Sequence, residues 1–351
     1  MSVRVTVLQA DHGDCLLVSY LGDGGPFNIL IDGGTVNTFR RPNGAPGPLR
    51  LILDNINASG QSIDLCVLTH IDSDHIGGMK RAFETDGYLG TITKKLWYNS
   101  SILITEATKT PDIIENHVKF DKDENPQTSF RQAFTLENKI LSGNYWHKNL
   151  ILAGQKHTEG LFTLTVLSPC KSDIFKLATK WPKEFISPYT SGKRKDINKS
   201  FASLLSEDLF VDDDAPANRS SISFLLELGH FRALFLADAP DDVVRQSLTS
   251  LGYSESNKLK VNFVKVSHHG SQCNTSQEFL SMIDSSGFFF STNGMIHQHP
   301  DRLTIARILR QHPQAKLYFN YQGVISQTFS NVELVTYASN ISTIQSLDFC
   351  L

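Results

Sequence analysis

The stretch that most constrains the fold of this chain is a short apolar run followed at once by polar, ligand-type residues. The run Leu65–Leu68 predicts a buried strand. His70, Asp72, Asp74 and His75 follow it within six residues. Because alternate residues of an extended segment point the same way, the first three are expected to converge on one side of the loop. Imidazole and carboxylate at this density are typical of a metal site, and a solvated polar loop is the alternative.

A glycine pair follows these residues and indicates where the next element begins. Gly77-Gly78 predicts a turn that leads into a helix at Met79–Phe83, which Lys80–Asp86 completes. The sequence therefore predicts a strand, a loop of metal ligands and a helix, with the loop at a sheet edge where functional residues are expected.

The motif from His70 to His75 resembles the signature of the metallo-β-lactamase superfamily, H-x-H-x-D-H, with Asp72 in place of the second histidine. The form with aspartate followed by I-G-G is similar to the nuclease-like domain of the competence DNA-uptake protein and its soluble relatives. The resemblance implies an α/β fold, a four-layer αββα sandwich of two mixed β-sheets packed face to face with helices outside. It also implies one domain over residues 1–351, with insertions near 100–150 and 171–217 and C-terminal edge strands at 317–351.

The N-terminal stretch is similar to the first sheet of the same family. Strands are predicted at Val3–Val7, Cys15–Tyr20 and Phe27–Ile31, and the last ends in Asp32-Gly33-Gly34. The resemblance implies that Asp14 and Asp32 lie beneath the metal site and support its ligands. Ordinary turn chemistry is the alternative, because Asp and Gly favour turns.

A second group of matches begins at Asn218, which precedes a predicted strand as in the N-x-x-S element of the family. The following strand, Arg232–Leu236, leads to Asp238, where Ala237 replaces the family's glycine. The resemblance implies that Asp238 bridges two metal ions. Without it, an aspartate at a strand end is normally a helix N-cap.

The run Lys260–Val266 predicts another strand, which leads into Ser267-His268-His269-Gly270-Ser271. The resemblance implies that one of the two histidines completes the second metal site. His268, the first to leave the strand, is the first choice, and His269 stays open. The other histidine, Ser271 and Asn274 are expected to face substrate.

A final match lies in the loop Thr292–Pro300, between a predicted strand and a predicted helix at Asp301–His312. His299-Pro300 matches an N-x-x-x-H-P loop of the family. His299 is therefore carried over as a substrate-facing residue and is predicted, with Asp74, to take part in catalysis.

The remaining segments carry weaker signals. Secondary-structure predictions there are a strand at Ile92–Tyr98, a loop at Asp121–Thr128, a turn at Gly154–Glu159, a basic loop at Ser191–Lys199, an acidic run at Asp212–Asp214 and edge strands over Leu317–Cys350. The basic loop and the acidic run are interpreted as parts of an insertion at the rim of the site. If the basic loop contacts a ligand, a phosphate backbone is the expected target.

Composition restricts the setting of the protein. A formal net charge of −3 gives no overall basic field for nucleic acid, although bound metal ions would supply local positive charge. The 5 cysteines include no C-x-x-C pair, which predicts reduced thiols and a cytoplasmic protein. No apolar run approaches the ~20 residues of a membrane-spanning helix, so no membrane association is expected. The sequence identifies no protein partner.

These matches together predict a metal-dependent hydrolase. Site one would take His70 and Asp72, and site two Asp74, His75 and His268 or His269. The cofactors would be two divalent ions, Zn or Mn, that activate a hydroxide. Because carboxylate oxygen is a harder ligand than imidazole nitrogen, Asp72 favours tolerance of Mn²⁺.

The predicted partner is a phosphodiester substrate, with nucleic acid among the candidates, because the competence branch is nuclease-like. The alternatives are a hydrolase of a small ester, lactone or phosphocholine-type substrate, and a partner subunit that retains the metal site within a larger assembly.

Overall fold

The computed structural model describes residues 1–109, 129–180 and 196–351. Two compact units account for this chain. Unit 1 contains residues 1–152 together with 170–180 and 346–350, and unit 2 contains 153–169 and 196–345, each within the described ranges. The predicted loop Asp121–Thr128 and most of the basic loop Ser191–Lys199 lie outside these ranges.

Unit 1 is built on a mixed sheet of 6 strands in the order β16-β1-β2-β3-β4-β5. The first four strands in this order pair antiparallel, and β3, β4 and β5 pair parallel. The strands are β1 (Ser2–Val7), β2 (Leu16–Leu21), β3 (Phe27–Ile31), β4 (Leu65–Val67), β5 (Leu96–Trp97) and β16 (Ser346–Cys350).

The helices of unit 1 cover an apolar core that contains Leu30, Cys66 and Met79. Helix α2 shows why such a segment folds: its buried residues Leu49, Leu53 and Ile56 recur at helical spacing and form one apolar face. The described helices are α1 (Val36–Phe39), α2 (Pro48–Ala58), α3 (Ser73–Glu84), α4 (Leu89–Ile92), α5 (Ser101–Thr108), α6 (Ser129–Ile140) and α7 (Lys171–Lys180).

Unit 2 is built on a mixed sheet of 8 strands in the order β15-β14-β13-β11-β9-β8-β7-β6. The run from β15 to β9 is parallel and the run from β9 to β6 is antiparallel, while β10 and β12 form a separate parallel pair. The strands are β6 (Lys156–Glu159), β7 (Phe162–Ser168), β8 (Ser223–Leu228), β9 (Phe231–Phe235), β10 (Leu259–Val261), β11 (Phe263–Lys265), β12 (Ile283–Ser285), β13 (Gly287–Phe290), β14 (Lys316–Phe319) and β15 (Ile341–Thr343).

Aromatic rings on neighbouring strands of the unit 2 sheet form a continuous row. Phe224, Phe235, Phe263 and Phe289 lie with successive ring centroids 5.5, 6.2 and 5.9 Å apart. Such cross-strand aromatic contacts stabilise a sheet and favour one pairing register between its strands. The described helices are α8 (Phe201–Ser206), α9 (Pro216–Arg219), α10 (Asp241–Ser250), α11 (Gln277–Ser281), α12 (Arg302–Gln311), α13 (Gln322–Thr328) and α14 (Asn331–Thr336).

The expectation of a mixed α/β fold with two mixed sheets is confirmed. Face-to-face packing of the sheets and the single-domain arrangement stay predictions. Within the described ranges, no helix combines the length and the apolar composition needed to span a membrane. The 5 cysteines are free thiols.

The glycine pair after the ligand motif was misinterpreted as a turn. Helix α3 begins at Ser73, and Gly77 and Gly78 lie inside it. A Cβ on Gly77 would sit 2.7 Å from the backbone nitrogen of Val36, and one on Gly78 would overlap the carbonyl oxygen of Gly33. The glycines therefore allow the helix to pack directly against the chain that follows β3, which a sequence pattern does not reveal.

Two segments at the edges of the sheets also differ from the predictions. The predicted strand Ile92–Tyr98 is reduced to β5, because only Leu96 and Trp97 pair with β4, and Ile92 is the last residue of α4. The predicted turn Gly154–Glu159 contains β6, which pairs antiparallel with β7. In both cases the available partner strand, and not local propensity, decides the outcome.

The predicted strand Lys260–Val266 is two strands, β10 and β11, in different sheets. Asn262 lies between them and exchanges hydrogen bonds with Arg232: its Oδ1 accepts from the Arg232 N–H at 2.9 Å, and its own N–H donates to the Arg232 carbonyl at 2.8 Å. The stretch Leu317–Cys350, predicted as edge strands, holds β14, β15 and β16, with α13 and α14 in addition.

Candidate metal-ligand residues

The predicted ligands of unit 1 lie where two parallel strands end. Strand β3 ends at Ile31 and is followed by Asp32, and β4 ends at Val67 and is followed by Thr69 and His70. Since parallel strands place their carboxyl ends at one sheet edge, these side chains are brought together. Helix α3 then starts and places Asp74 and His75 in its first turn.

Asp32 is the centre of a buried hydrogen-bond network, named here the Asp32 network, that includes Thr69, His70 and His75. One carboxylate oxygen of Asp32 accepts the Thr69 N–H at 2.8 Å. The other accepts the Thr69 hydroxyl at 2.7 Å and lies 2.8 Å from His75 Nδ1. A carboxylate oxygen accepts this hydrogen bond when His75 carries its hydrogen on Nδ1, and we assign that tautomer to His75.

The same network also fixes His70. The Thr69 hydroxyl donates to Asp32, so its oxygen is left to accept from His70 Nδ1, 3.1 Å away. Both imidazoles therefore use Nδ1 for support and present Nε2 as the nitrogen with a lone pair. The rings lie side by side, with centroids 4.1 Å apart.

The two neighbouring carboxylates lie beside these Nε2 atoms in the pairs that the sequence predicted. Asp72 Oδ2 is 3.6 Å from His70 Nε2, and Asp74 Oδ2 is 3.9 Å from His75 Nε2. Ligand atoms about 2.0–2.2 Å from one ion can be separated by distances of this size. Lone-pair nitrogens beside carboxylate oxygens, with the opposite ring nitrogen already supported, form a donor set that fits a divalent metal ion.

Asp72 has the position of a helix cap without acting as one. It is the N-cap residue of α3, yet its side chain makes no capping hydrogen bond. At 3.6 Å from His70 Nε2 it is also beyond hydrogen-bond distance. This geometry favours a ligand over a residue that orients His70, and the role of Asp72 stays a prediction.

The other predicted supporting residue of unit 1, Asp14, lies close to the Asp32 network. It is 1% exposed, and a carboxylate oxygen of Asp14 lies within 4.8 Å of ligand-type atoms of Asp32 and His75. Its backbone is fixed from both sides, because its N–H donates to the Asp74 carbonyl and its carbonyl accepts from the Gly34 N–H.

The predicted ligands of unit 2 also follow parallel strands. Asp238 comes after β9, and His268 and His269 come after β11. Both histidines direct Nε2 toward the same carboxylate oxygen, Asp238 Oδ2, at 3.8 Å for His268 and 3.7 Å for His269. The structure therefore brings all three predicted ligands together and leaves the choice between the two histidines open.

The two histidines differ in what supports their other ring nitrogen. His269 is 3% exposed, and its Nδ1 donates to the Ser291 carbonyl at 2.8 Å. His268 Nδ1 lies 3.2 Å from a carboxylate oxygen of Asp213. Burial alone would lower the pKa of His268, but the carboxylates of Asp238 and Asp213 outweigh it and raise the pKa above its usual value.

The predicted polar residues around His268 fall into two groups. The Asn218 Nδ2 and Asn274 Oδ1 atoms lie 3.4 and 3.2 Å from His268 Nδ1. Ser271 instead takes part in the local turn, where its N–H donates to the His268 carbonyl and its hydroxyl accepts from the Cys273 N–H. The substrate-facing role of Ser271 stays a prediction.

His299 lies beside the His268 ring, with centroids 5.3 Å apart and the rings inclined at 63°. Its Nδ1 is 3.5 Å from Asp301 Oδ2. Burial lowers the pKa of His299, and the Asp301 carboxylate only partly opposes this effect. The imidazole is therefore neutral near pH 7 and can both donate and accept a hydrogen bond.

Three residues that the sequence prediction missed complete these groups: Thr69, Asp213 and Lys265. Lys265 is 1% exposed, donates to the Ala237 carbonyl at 3.0 Å, and has its ammonium 3.9 Å from Asp238 Oδ1. A lysine within the apolar run before Ser267 was the available signal, since buried lysines are rare unless they are paired.

No protein-family model matches this sequence, and no curated protein matches it. Solved structures do show similarity, and proteins of the metallo-β-lactamase fold are among them. The metallo-β-lactamase fold protein YhfI from Bacillus subtilis is 11% identical, with 99% of each chain covered and a TM-score of 0.41.

Two further structures are enzymes. The diiron β-hydroxylase CmlA from Streptomyces venezuelae is 11% identical over 99% of this chain and 54% of its own, with a TM-score of 0.42. MEM-A1, a subclass B3 metallo-β-lactamase isolated from a soil metagenome library, is 10% identical over 80% of this chain and 84% of its own, with a TM-score of 0.34. At these identities the function has to be argued from the residues of this chain.

Proposed function

We propose that this protein is a metal-dependent hydrolase that cleaves phosphodiesters. The Asp32 network carries the proposal, because it directs the Nε2 atoms of His70 and His75 toward the side where Asp72 and Asp74 lie. A bound divalent ion would supply Lewis acidity and lower the pKa of a water molecule to a range useful near neutral pH.

Residues of both units would hold metal, and further residues would orient these ligands. His70 with Asp72 and Asp74 with His75 would hold metal in unit 1, and Asp238 with His268 or His269 would do so in unit 2. Asp32 and Thr69 would keep the two unit 1 histidines in the tautomer that a ligand needs. That Asp238 bridges two ions stays a prediction from the family resemblance.

His299 would contact the substrate. Its low pKa keeps the ring neutral, so it can donate a hydrogen bond to a phosphoryl oxygen without carrying a permanent charge. Asp74 is kept as a second catalytic candidate. The choice of a phosphodiester rests on the similarity of the His70–His75 motif to the competence branch.

A small ester, lactone or phosphocholine-type substrate is a second candidate, favoured by the charge distribution of unit 2. Burial, with the neighbouring Asp241 and Asp242 carboxylates, raises the pKa of Asp212 to about 6. Burial is the largest cause of this shift, and the part that the two carboxylates add indicates a negative local potential one residue from Asp213, which Arg245 partly offsets. Such a potential disfavours a polyanion. A partner-subunit role, with metal but no hydrolysis, is the third possibility.

The test is Asp32→Asn, because asparagine tolerates the left-handed backbone of Asp32, φ 56°, but replaces one acceptor oxygen by a donor. We expect metal affinity and hydrolysis to fall about 10- to 100-fold. The wild type and variant should be compared by metal titration and by rates on single- and double-stranded DNA, RNA and a chromogenic phosphodiester, with Zn²⁺ and with Mn²⁺.

The matched control is Asp11→Asn. Asp11 is also left-handed, φ 60°, and accepts a threonine hydroxyl, Thr35 Oγ1, at 2.7 Å. Its substitution is expected to leave metal binding unchanged. A wild type that binds neither ion contradicts the proposal, whereas metal binding with activity only on esters or lactones supports the second candidate.

A further inference from the structure

Asp213 lies in the acidic run that the sequence predicted to be part of an insertion, yet hydrogen bonds hold both its backbone and its side chain. Its N–H donates to the Cys273 carbonyl at 3.2 Å, and its Oδ1 accepts from the Ala215 N–H at 2.9 Å. Its side chain is 11% exposed. Backbone and carboxylate are therefore fixed together, so the position of Oδ2 is defined.

Three donors converge on Asp213 Oδ2. The amides of Asn218 and Asn274 lie at 2.6 and 3.2 Å, and His268 Nδ1 lies at 3.2 Å. Asn274 also donates to the Asp238 carbonyl at 3.3 Å, which ties this network to the strand end that carries Asp238. We name these four residues, Asp213, Asn218, Asn274 and His268, the His268 network.

His268 needs such support more than an ordinary residue. Its backbone is left-handed, with φ 45° and ψ 52°, and a non-glycine residue persists there only where its surroundings impose the conformation. With Nδ1 directed to Asp213, Nε2 faces Asp238 Oδ2 at 3.8 Å. A ring turned the other way would present the wrong nitrogen to this carboxylate.

We propose that Asp213 is a positioning residue that holds His268 through Nδ1 and thereby makes Nε2 available as a metal ligand beside Asp238. The inference rests on the proposed metal-dependent function and assigns His268 to the ligand role. A carboxylate that accepts the second N–H of a ligating histidine fixes its tautomer and raises its basicity, and its loss typically costs about 10- to 100-fold in metal affinity.

The experiment compares wild type, Asp213→Asn and Asp213→Glu by titration with Zn²⁺ and with Mn²⁺. Asparagine lacks the carboxylate charge and keeps only one acceptor oxygen, so either the Ala215 N–H or the three donors at Oδ2 would face an amide NH2. We therefore expect metal affinity to fall about 10- to 100-fold. Glutamate, which keeps the acceptor on a longer side chain, should restore part of it. Asp212→Asn is the matched control on the same segment, and its metal affinity should equal that of wild type.

A double-mutant cycle with His268→Gln separates positioning from a general structural effect. If Asp213 acts through His268, Asp213→Asn should cause no further loss of metal affinity once His268 is replaced. The 15N NMR signals of His268 give a reading that needs neither metal nor turnover, since loss of the Asp213 carboxylate should lower the fraction of rings that carry the hydrogen on Nδ1.

Unchanged metal affinity in folded Asp213→Asn, or losses that add in the double mutant, would overturn the assignment of Asp213. If Asp213→Asn does not fold, the comparison of Asp213→Glu with wild type, in the presence and absence of His268→Gln, decides. A wild type that binds metal in an Asp213-dependent way but cleaves no diester would contradict the phosphodiester proposal alone. Diester cleavage with an Asp213-independent metal affinity would contradict only the role given to Asp213.

Discussion

At the scale of single residues, the candidate ligand groups are associated with strained backbone. Asp32, Ala237, His268 and His269 have φ values of 56°, 49°, 45° and 54°. Left-handed backbone costs an L-residue about 1–2 kcal/mol. These residues persist because hydrogen bonds to their neighbours hold them, as when Lys265 donates to the Ala237 carbonyl. Strain at these positions is therefore part of how the fold presents Asp238 and the histidines.

Ala237 offers a direct test of this strain, because its left-handed φ of 49° is one that glycine adopts without steric cost. Ala237→Gly should stabilise the protein by up to about 1 kcal/mol, since relief of the left-handed strain exceeds the added entropy of the unfolded chain. Ala237→Val should destabilise it, because a β-branched residue tolerates positive φ least. Chemical denaturation of both variants measures whether each substitution raises or lowers the free energy of unfolding. Equal stability of the glycine variant and wild type would mean that the surroundings have relaxed the strain.

The sequence predicted candidate residues whose type and position already indicate a metal ligand. It missed residues whose role depends on hydrogen-bond partners far along the chain. His70, His75, Asp238 and the His268-His269 pair stand out because imidazole and carboxylate follow buried strands. Thr69 and Asp213 do not, because a threonine beside a histidine and an aspartate in an acidic run are common in any sequence. Their importance depends on partners such as Asp32, which lies 37 positions from Thr69, and no local pattern encodes that distance.

At the scale of elements, α3 and the chain after β3 are packed backbone to backbone. The Gly78 N–H donates to the Gly34 carbonyl at 3.0 Å, and the Gly33 N–H donates to the His75 carbonyl at 2.8 Å. Glycines on both sides make this approach possible. The helix that carries Asp74 and His75 is thereby locked to the loop that carries Asp32.

Gly78→Ala should therefore be strongly destabilising, by about 2–4 kcal/mol, because the new methyl overlaps backbone that cannot move aside. Gly323→Ala in α13 is the control, since nothing lies within 4 Å of a Cβ there. That exposed helical position should gain about 0.5–1 kcal/mol, the ordinary preference of a helix for alanine. Thermal or denaturant unfolding measures both variants, and a mild effect at Gly78 would mean that α3 can shift away from the loop.

Element prediction was most successful where local sequence signals agree, and least successful where pairing with a distant strand sets a boundary. Strand β3 was predicted with its observed ends, because its apolar pattern and the Asp32-Gly33-Gly34 turn agree. The bounds of β5 were predicted too wide and the β10–β11 break was missed, because pairing with partners far along the chain sets those boundaries. Helices α13 and α14 were missed because Thr, Ser and Val in 317–350 favoured strands by propensity alone.

At the scale of the whole molecule, the net charge is only −3, but the charged side chains are unevenly distributed. The carboxylates of Asp212, Asp241 and Asp242 lie near one another in unit 2, with Arg245 and Arg219 as counter-charges. Burial and the two neighbouring carboxylates raise the pKa of Asp212 to about 6, and Arg245 only partly opposes them.

This arrangement predicts the sign of a pH effect on stability. An unfolded aspartate titrates near pH ~3.9, so a pKa raised to about 6 means that the folded state binds the proton more tightly. The favourable contribution is complete below about pH 4 and is lost as pH rises through about 6. Asp212→Asn should therefore unfold like wild type at acidic pH and be more stable at neutral pH.

The gain should stay below about 1.5 kcal/mol, because Asp212 is only half-buried and water screens it. Denaturant unfolding at a series of pH values measures the difference. A difference between variant and wild type that does not change with pH would show that Asp212 has an ordinary pKa.

The buried Lys265 of unit 2 bears on whether folding of this unit would require a bound metal ion. In proteins whose buried anionic ligands have no other counter-charge, the ion is a condition of folding, and the apo chain stays unfolded. Here the Lys265 ammonium lies 3.9 Å from the Asp238 carboxylate, so the folded chain itself supplies a counter-charge. If unit 2 binds metal as proposed, this part of the fold would not require the ion in order to form.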